Sequence, residues 1–283
     1  MTYLIVGGAG FVGSHLARVL PGRVRIFDKQ RGQDALDFHC LVEAMRGTDT
    51  VVHLASNPDI AKAATTPTID FVHGTQITQN IAEAARIVGV RAVWYASGSG
   101  VYGDHGTRAV TEDGPFQPVS TYGASKLAGE AILSAYSHMF GLTVRAFRFA
   151  NLVGAGQTHG VGFDFLNQLR AHPDHLDMRG DGTQSKSYLH IDDAIRAMLT
   201  VADGTGFEVF NVATDDTLTV DGIVALAAGV TGTAPKVSRE PQRAGWAGDV
   251  PDVRLDSTKV RSAGWEPRMG SREAMLAALT AMV

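Results

Sequence analysis

The sequence predicts an α/β fold, a doubly wound parallel sheet with a smaller C-terminal lobe, and two observations lead to it. Short runs rich in β-branched residues recur along the first 150 residues, and helical patterns lie between most of them. The first apolar run leads directly into a glycine-rich turn that opens a helical pattern. Strands that alternate with helices favour parallel pairing, with helices on both faces of the sheet.

The predicted elements follow one another in a regular order. The strands are YLIVGG, VRIFD, TVVHLA, AVWYAS and TVRAFRFAN, and the helices between them are FVGSHLARVL, LVEAMRG and ITQNIAEAARIVG. After about residue 150 the alternation fades into Gly and Asp clusters, a strand pattern in VADGTGFEVFNVA and a terminal helix from about Ser271. We therefore expect a sheet domain over 1–150, to which some later segments return, and a smaller lobe mainly over 151–283.

Composition and charge exclude several classes of protein. The chain of 283 residues is 45% hydrophobic and 19% charged, which is typical of a soluble globular protein, and its net charge of −4 provides no footprint for nucleic acid. The single cysteine, Cys40, excludes an internal disulfide framework and fits a reducing compartment. The first apolar run is too short for a membrane span and has no basic region before it. We expect a cytoplasmic protein without nucleic-acid or membrane partners.

The glycine turn GGAGFVG predicts a site for a dinucleotide. Its glycines Gly7, Gly10 and Gly13 recur at every third residue. In such a turn the first glycine permits the tight bend, the second lets the backbone approach a pyrophosphate, and the third permits close packing of helix against strand. A glycine turn without a nucleotide is the alternative, and the order of strand, glycines, helix and acid favours a Rossmann-type cofactor site.

An acidic residue at the end of the second predicted strand indicates which cofactor binds. Asp28 can accept hydrogen bonds from the adenosine ribose, and its charge disfavours a 2′-phosphate, so we expect NAD rather than NADP. Lys29 and Arg31 follow closely and could instead reach toward a phosphate.

The segment YGASKLAGE places Tyr122 four residues before Lys126, on one face of a predicted helix. A cation beside a phenol favours the phenolate, so the pair predicts that the pKa of Tyr122 falls below its usual value of about 10. Tyr122 would then serve as an acid or base near neutral pH. A chance surface pair is the alternative.

With GGAGFVG, VVHLAS, GVYGD, YGASK, RFAN and LHIDDA in this order, the chain resembles the extended short-chain dehydrogenase/reductase family. More narrowly, it is similar to the NAD-dependent nucleotide-sugar epimerase/dehydratase branch over essentially its whole length. The resemblance implies that Tyr122 is the acid/base and that Lys126 tunes it while binding the nicotinamide ribose. It also implies a C-terminal substrate-binding lobe and a homodimer formed through paired helices.

The resemblance further implies a set of cofactor contacts. They are Gly7, Gly10, Phe11, Val12, Gly13, Asp28, Lys29, Asp37, Phe38, Leu54, Ala55, Ser56, Ser97, Tyr122, Lys126 and Phe149. Asp37 and Phe38 match an acidic–apolar pair that contacts adenine. The stretch from Asp28 to Asp37 is shorter than the family usually has, so we expect the second crossover helix to be lost or reduced to a loop. His53 matches a packed strand end and is expected to be structural.

The sequence departs from the family beside the motif VYG. The family places a Ser or Thr three residues before its valine, where this chain has Gly98. Ser99 is the first candidate to replace that hydroxyl and Ser97 the second; the alternative is that both only satisfy loop backbone groups. Related 4,6-dehydratases carry adjacent acids where this chain has Ser99 and Gly100. Because elimination of water needs an acid and a base, their absence favours epimerisation or simple redox chemistry.

The resemblance also implies residues for the substrate. Asn151 matches a contact to the sugar or diphosphate, and Asp249 could accept from a ribose hydroxyl. Lys186 stands where the family usually has a phosphate-binding arginine, which keeps the charge but loses the bidentate fork. Trp246 occupies the second arginine position and either stacks on the ligand or packs in the lobe, while Arg243 is the candidate replacement for the lost charge.

These residues predict an NAD-dependent nucleotide-sugar epimerase that works at C4 through a transient 4-keto sugar, with Tyr122 as the acid/base. A dehydratase or 4-keto reductase for an unusual sugar remains an alternative, as does a non-catalytic NAD-binding regulator. The intact pair of Tyr122 and Lys126 disfavours the regulator, which would need no activated phenol. The expected partner is a nucleoside diphosphate sugar, and no metal site is expected.

Overall fold

A computed structural model describes residues 1–57, 60–246 and 248–283. The chain divides into two compact units. The first comprises Met1–Val101, Ser120–Arg148 and Met198–Phe210, and the second comprises Tyr102–Val119, Phe149–Ala197 and Asn211–Val283. An early segment, Tyr102–Val119, therefore lies in the second unit, and a later one, Met198–Phe210, lies in the first.

The described elements alternate in type along the first half of the chain. The strands are β1 (Thr2–Val6), β2 (Arg23–Phe27), β3 (Thr50–His53), β4 (Ala92–Gly98), β5 (Thr143–Phe149), β6 (Asn151–Val153), β7 (His175–Met178), β8 (Ser185–Lys186), β9 (Tyr188–His190), β10 (Phe207–Val212), β11 (Leu218–Thr219), β12 (Lys236–Arg239) and β13 (Asp252–Val253). The α-helices are α1 (Phe11–Leu16), α2 (Phe38–Met45), α3 (Thr68–Asp70), α4 (Ile77–Val88), α5 (Thr121–Phe140), α6 (Val161–Ala171), α7 (Ile191–Thr200), α8 (Val220–Thr231), α9 (Thr258–Ser262) and α10 (Ser271–Met282). Short 3-10 turns lie at Lys29–Arg31, Ile60–Ala64 and Ser99–Val101, and a π-helical turn lies at Phe71–Gln76.

A six-stranded sheet with the order β10-β5-β4-β3-β1-β2 organises the first unit. β1 pairs in parallel with both β2 and β3, and β3 pairs in parallel with β4. The middle strands are buried along their length, as in a sheet covered on both faces. Leu4, Val51, Leu41, Ile81 and Leu133 belong to one core in which strands β1 and β3 pack with helices α2, α4 and α5. The prediction of a doubly wound parallel sheet is confirmed.

The sheet ends at β2, whose edge carries the charged residues Arg23 and Arg25. Charged side chains on an edge strand discourage pairing with another chain. Between Asp28 and Asp37 the chain forms one 3-10 turn, and no α-helix lies between these two described residues. This stretch is a loop, as expected, but the connection from β2 to β3 still carries helix α2, so the crossover keeps a helix.

Helix α5 is the longest helix described, with 20 residues. The side chain of Ser120 caps its first turn by accepting from the backbone N–H of Gly123, and Gly141 ends it in the left-handed conformation with φ of 72°. The cap fixes where the helix starts, so Tyr122 lies in the first turn and Lys126 one turn later.

The second unit contains small sheets, and helices α6, α8 and α10 pack together in its core. Its sheets have the orders β11-β8-β13, β12-β7 and β6-β9. Phe165 of α6, Ile223 of α8 and Met275 of α10 share its core. Helix α10 starts at Ser271, which confirms the predicted terminal helix. Among the helices of the described residues, none is both long and apolar enough to cross a lipid bilayer.

Candidate active site

In the glycine turn, one of the three glycines has open space beside its backbone. A Cβ on Gly7, whose φ is +84°, would lie 2.6 Å from the backbone nitrogen of Ala55, and one on Gly13 would lie 2.6 Å from the Cα of Gly8. A Cβ on Gly10 would meet one atom within 4 Å, the carbonyl oxygen of Gly7 at 3.4 Å. Packing therefore requires glycine at 7 and 13, whereas the open space at Gly10 fits the approach of a pyrophosphate.

Asp28 is held against this turn. The carboxylate is 7% exposed and accepts from the backbone N–H of Ala9 at 2.8 Å and from that of Gln30 at 2.8 Å. Each oxygen retains capacity to accept a ribose hydroxyl. Lys29 makes an exposed ion pair with Asp34 at 3.2 Å, so its charge is partly balanced where a 2′-phosphate would otherwise attract it.

The other predicted cofactor residues of the first half have structural contacts. Phe11 and Val12 are half-buried at the start of α1, and Asp37 caps α2 by accepting from the backbone N–H of Cys40 at 3.0 Å. Phe38 is partly exposed beside it. The backbone N–H groups of Leu54 and Ala55 both donate to the carbonyl of Val6. Phe149 is buried at the end of β5.

Tyr122 and Lys126 lie together, as their spacing on one helix predicts. The ammonium of Lys126 lies 5.4 Å from the centre of the Tyr122 ring and 5.2 Å from the centre of the Tyr95 ring. It donates a hydrogen bond of 2.8 Å to the carbonyl of Ala96. The hydroxyl of Ser56 donates to the phenolic oxygen of Tyr122. The site therefore pairs a phenol with a cation and a hydroxyl.

The predicted lowering of the Tyr122 pKa is wrong for this structure. Burial raises the pKa of Tyr122, and the charge of Asp70 raises it further, although the donor from Ser56 acts in the opposite direction. Burial also lowers the pKa of Lys126 to about 8, against the opposing effect of Asp70 and Glu130. The ammonium lies over the ring and is hydrogen-bonded to a carbonyl, so it does not offset the loss of water around the phenol.

The two candidate serines have different surroundings. Ser97 is buried, and its hydroxyl donates to Glu130 at 2.5 Å. Glu130 in turn forms a buried ion pair of 2.6 Å with Arg148. Ser99 is half-buried at the start of a 3-10 turn, and its hydroxyl has no hydrogen-bond partner in the part of the chain that the structure describes. Only Ser99 therefore has a hydroxyl available for a ligand.

Sequence reasoning did not single out the pair of Glu130 and Arg148 or the buried Asp70. Glu130 lies four residues after Lys126, so helical periodicity places it on the same face as Tyr122 and could have found it. Asp70 is an acid within an apolar helical pattern, which is a weaker signal. His53 is buried with one ring nitrogen 2.9 Å from the hydroxyl of Thr78, and burial holds its pKa well below the usual range.

In the second unit, Lys186 and Asp249 lie together. The ammonium of Lys186 is 2.6 Å from the carboxylate of Asp249, which also accepts from the backbone N–H of Gly245 at 3.0 Å. Arg243 forms a separate two-bond fork with Asp252, at 2.7 and 2.8 Å. Each cation proposed for a diphosphate is therefore already paired with a carboxylate.

Two further residues of the second unit complete the predicted substrate set. The amide of Asn151 donates to the carbonyl of Ser187 at 3.2 Å. Trp246 is half-buried. Within residues 1–57, 60–246 and 248–283, no group of three or more His, Cys, Asp or Glu side chains could hold a metal ion.

The chain is similar to known proteins both in sequence and in structure. The sequence pattern of the NAD dependent epimerase/dehydratase family matches residues 3–213. A protein of Mycolicibacterium smegmatis named UDP-glucose 4-epimerase is 29% identical and covers 96% of this chain and 96% of its own. A crystal structure of UDP-galactose 4-epimerase is 33% identical, with a TM-score of 0.90, over 100% of this chain and 98% of its own. A dTDP-glucose 4,6-dehydratase from Streptomyces venezuelae, solved with NAD bound, is 25% identical, with a TM-score of 0.90, over 99% and 96%.

Proposed function

Because the chain belongs to the NAD-dependent epimerase/dehydratase family, we propose that it is an NAD-dependent nucleotide-sugar epimerase that inverts C4. The observation that carries the proposal is the pair of half-buried Tyr122 and buried Lys126, one turn apart at the start of α5. Relatives named 4-epimerases match this chain over nearly their full length, which supports a nucleotide sugar as its substrate.

The bare backbone at Gly10 and the carboxylate of Asp28 are the groups that would hold NAD, together with Lys126 at the nicotinamide ribose. Bound NAD would supply the reversible acceptance of a hydride from the sugar carbon. The phenolic oxygen of Tyr122 takes the proton of the C4 hydroxyl and gives it back after the 4-keto sugar has turned over. Ser56 donates to that oxygen, and such a donor favours its charged form.

Ser99 supplies the hydroxyl that orients the reacting sugar oxygen. Its side chain is half-buried and unengaged among the described residues, whereas Ser97 is committed to Glu130. Ser97 remains a cofactor contact on the ground of the resemblance alone.

The nucleoside diphosphate sugar is held by Asn151, Lys186, Arg243 and Asp249, with the two cations at the diphosphate and Asp249 as an acceptor for a ribose hydroxyl. Charged acceptors such as a diphosphate favour cationic donors, and Lys186 offers a point charge without a planar fork. Since Arg243 is held in a fork by Asp252, its contribution requires that this ion pair open or share its donors.

A 4,6-dehydratase or 4-keto reductase is the second candidate, supported by the similarity to a 4,6-dehydratase of known structure. The turn after β4 argues against dehydration. Its residues Ser99 and Gly100 offer no acid that could protonate the leaving hydroxyl. We also infer a cytoplasmic homodimer paired through α4 and α5, from the resemblance and from the exposed apolar side chains of Ile87, Met139 and Phe140.

The test is to incubate the purified protein with UDP-glucose, UDP-galactose and the GDP- and dTDP-sugars, and to follow epimers by chromatography. We expect interconversion at C4 without added reductant, and free UDP, GDP or TDP should compete and so identify the base. If no nucleoside diphosphate competes at millimolar concentration, the assignment to nucleotide sugars fails. If bound NAD is never reduced by any of these sugars, the protein is a binding module.

A further inference from the structure

Asp70 is a buried carboxylate for which the proposed reaction has no role. It ends α3, is 1% exposed and is followed directly by the π-helical turn Phe71–Gln76. Both of its hydrogen-bond donors are neutral, the amide of Asn57 at 2.8 Å and the hydroxyl of Thr121 at 2.7 Å. Burying a carboxylate is costly unless hydrogen bonds or an opposite charge offset the loss of water, and here these two donors act together with the charge of Lys126.

Each of the two donors is the sequence neighbour of one partner in the contact between Ser56 and Tyr122. Asn57 follows Ser56, whose hydroxyl donates to Tyr122, and Thr121 directly precedes Tyr122 in the first turn of α5. Asp70 therefore ties the loop after β3 to the start of the helix that carries the acid/base. Both partners of the contact between Ser56 and Tyr122 are one residue away from this tie.

Close packing supports the same connection one helical turn further on. A Cβ on Gly74, within the π-helical turn, would lie 2.6 Å from the hydroxyl oxygen of Ser125. That hydroxyl donates to the carbonyl of Tyr122 at 2.8 Å. The segment that carries Asp70 is therefore pressed against α5 and has little freedom to move away. π-Helical turns are frequent at functional sites.

We propose that Asp70 is a positioning residue of the active site, which fixes the loop after β3 against the first turn of α5 by holding Asn57 and Thr121 together. The proposal rests on Tyr122 being the acid/base. Without the tie, the phenol and the Ser56 hydroxyl can separate while the fold persists. A displacement of about 1 Å at a reacting group can cost on the order of 10²-fold in rate.

Hydrogen bonding and charge are separable at this position. Asn in place of Asp70 removes the charge but keeps an acceptor for the Asn57 amide. Its own amide can donate to Thr121, because a threonine hydroxyl also accepts. Asp70→Asn therefore preserves the tie, whereas Asp70→Ala removes it. Thr121→Val removes one of its two bonds without changing any charge.

The experiment compares the purified wild type with these three variants, all checked for thermal unfolding and bound NAD. We expect Asp70→Ala to lower kcat about 10²-fold and Thr121→Val about tenfold, with KM changed by less than about threefold. Asp70→Asn should stay within a few-fold of the wild type. Asp49→Ala is the matched control, because Asp49 also joins two segments, through Thr2 and Arg91, and its loss should leave kcat unchanged.

Hydrogen–deuterium exchange gives a readout that needs no turnover. Asp70→Ala should raise exchange in residues 54–57 and 119–124 together, and Asp70→Asn should not. If the wild type turns over no nucleotide sugar, the proposed function fails while this readout still tests the tie. An unchanged kcat in both Asp70→Ala and Thr121→Val would overturn the proposal. The proposal would also be overturned if Asp70→Asn lowered kcat as much as Asp70→Ala does. The loss of kcat would then come from the missing charge and not from the missing hydrogen bonds.

Discussion

Tyr122 is the residue on which turnover is expected to depend most. Tyr122→Phe keeps nearly all of the ring's packing and removes the transferable proton, so we expect a loss of about 10²–10⁴-fold in kcat with NAD binding retained. Steady-state kinetics and the NAD content of the purified variant measure the two effects. Activity within a few-fold of the wild type would exclude Tyr122 as the acid/base.

Lys126 should make stability depend on pH in a definite direction. Its pKa is about 8 in the folded protein and 10.5 in its unperturbed state, so between these values the unfolded chain binds a proton that the folded chain has lost. The free energy of unfolding should therefore rise with pH across this window through this group. Lys126→Met lacks that rise and should be more stable near pH 7, by on the order of 1–3 kcal/mol.

Urea denaturation of the wild type and of Lys126→Met at several pH values measures this difference. The advantage of the variant should shrink between about pH 8 and 10.5, because other titrating groups are common to both proteins. A difference that stays constant over this range would show that Lys126 is charged in the folded protein throughout.

The substitutions Ser97→Ala and Ser99→Ala are expected to have different effects on turnover and stability. Ser99→Ala should lower kcat with little change in NAD affinity or stability, because its hydroxyl contacts no described residue. Ser97→Ala leaves Glu130 without one donor and should lower the free energy of unfolding by about 1.5–3 kcal/mol. Kinetics normalised to folded protein, together with urea denaturation, separate the two. Equal kinetic effects of both variants would contradict this assignment.

At the scale of elements, the buried ion pair holds α5 to the sheet. Glu130 of α5 pairs with Arg148 of β5 and accepts from Ser97 of β4. Glu130→Gln leaves a buried guanidinium without its counter-charge, so we expect a loss of about 3–5 kcal/mol in unfolding free energy. The double variant Glu130→Leu with Arg148→Met should recover most of it in urea denaturation. A double variant less stable than Glu130→Gln would indicate that packing, not charge, dominates.

At the scale of the whole molecule, the expected assembly is a homodimer of the 30.0-kDa chain. Met139 is 68% exposed near the end of α5, beside Phe140, and Ile87 is exposed near the end of α4. Met139→Glu places a charge on this apolar surface and should shift the mass in light scattering toward the monomer. Leu276→Glu, at an exposed position of helix α10, is the control that should leave the mass unchanged. A monomeric wild type at micromolar concentration would contradict the dimer.

The sequence by itself determined the fold class, the start of α5 and the identity of the central pair. Strand and helix patterns are local, and residues four apart on a helix must share a face, so Tyr122 and Lys126 could be paired from spacing alone. The shortened stretch between Asp28 and Asp37 likewise predicted the loop found there, whereas the helix of this crossover follows it, as α2.

Only the tertiary structure decided what surrounds these groups. Burial, which raises the pKa of Tyr122, depends on segments far away in the chain, and so do the partners of Ser97, Arg243 and Asp70. Sequence spacing shows which side chains can face one another within an element. It does not show which charges are paired or how much water remains, because those follow from packing between elements that lie tens of residues apart.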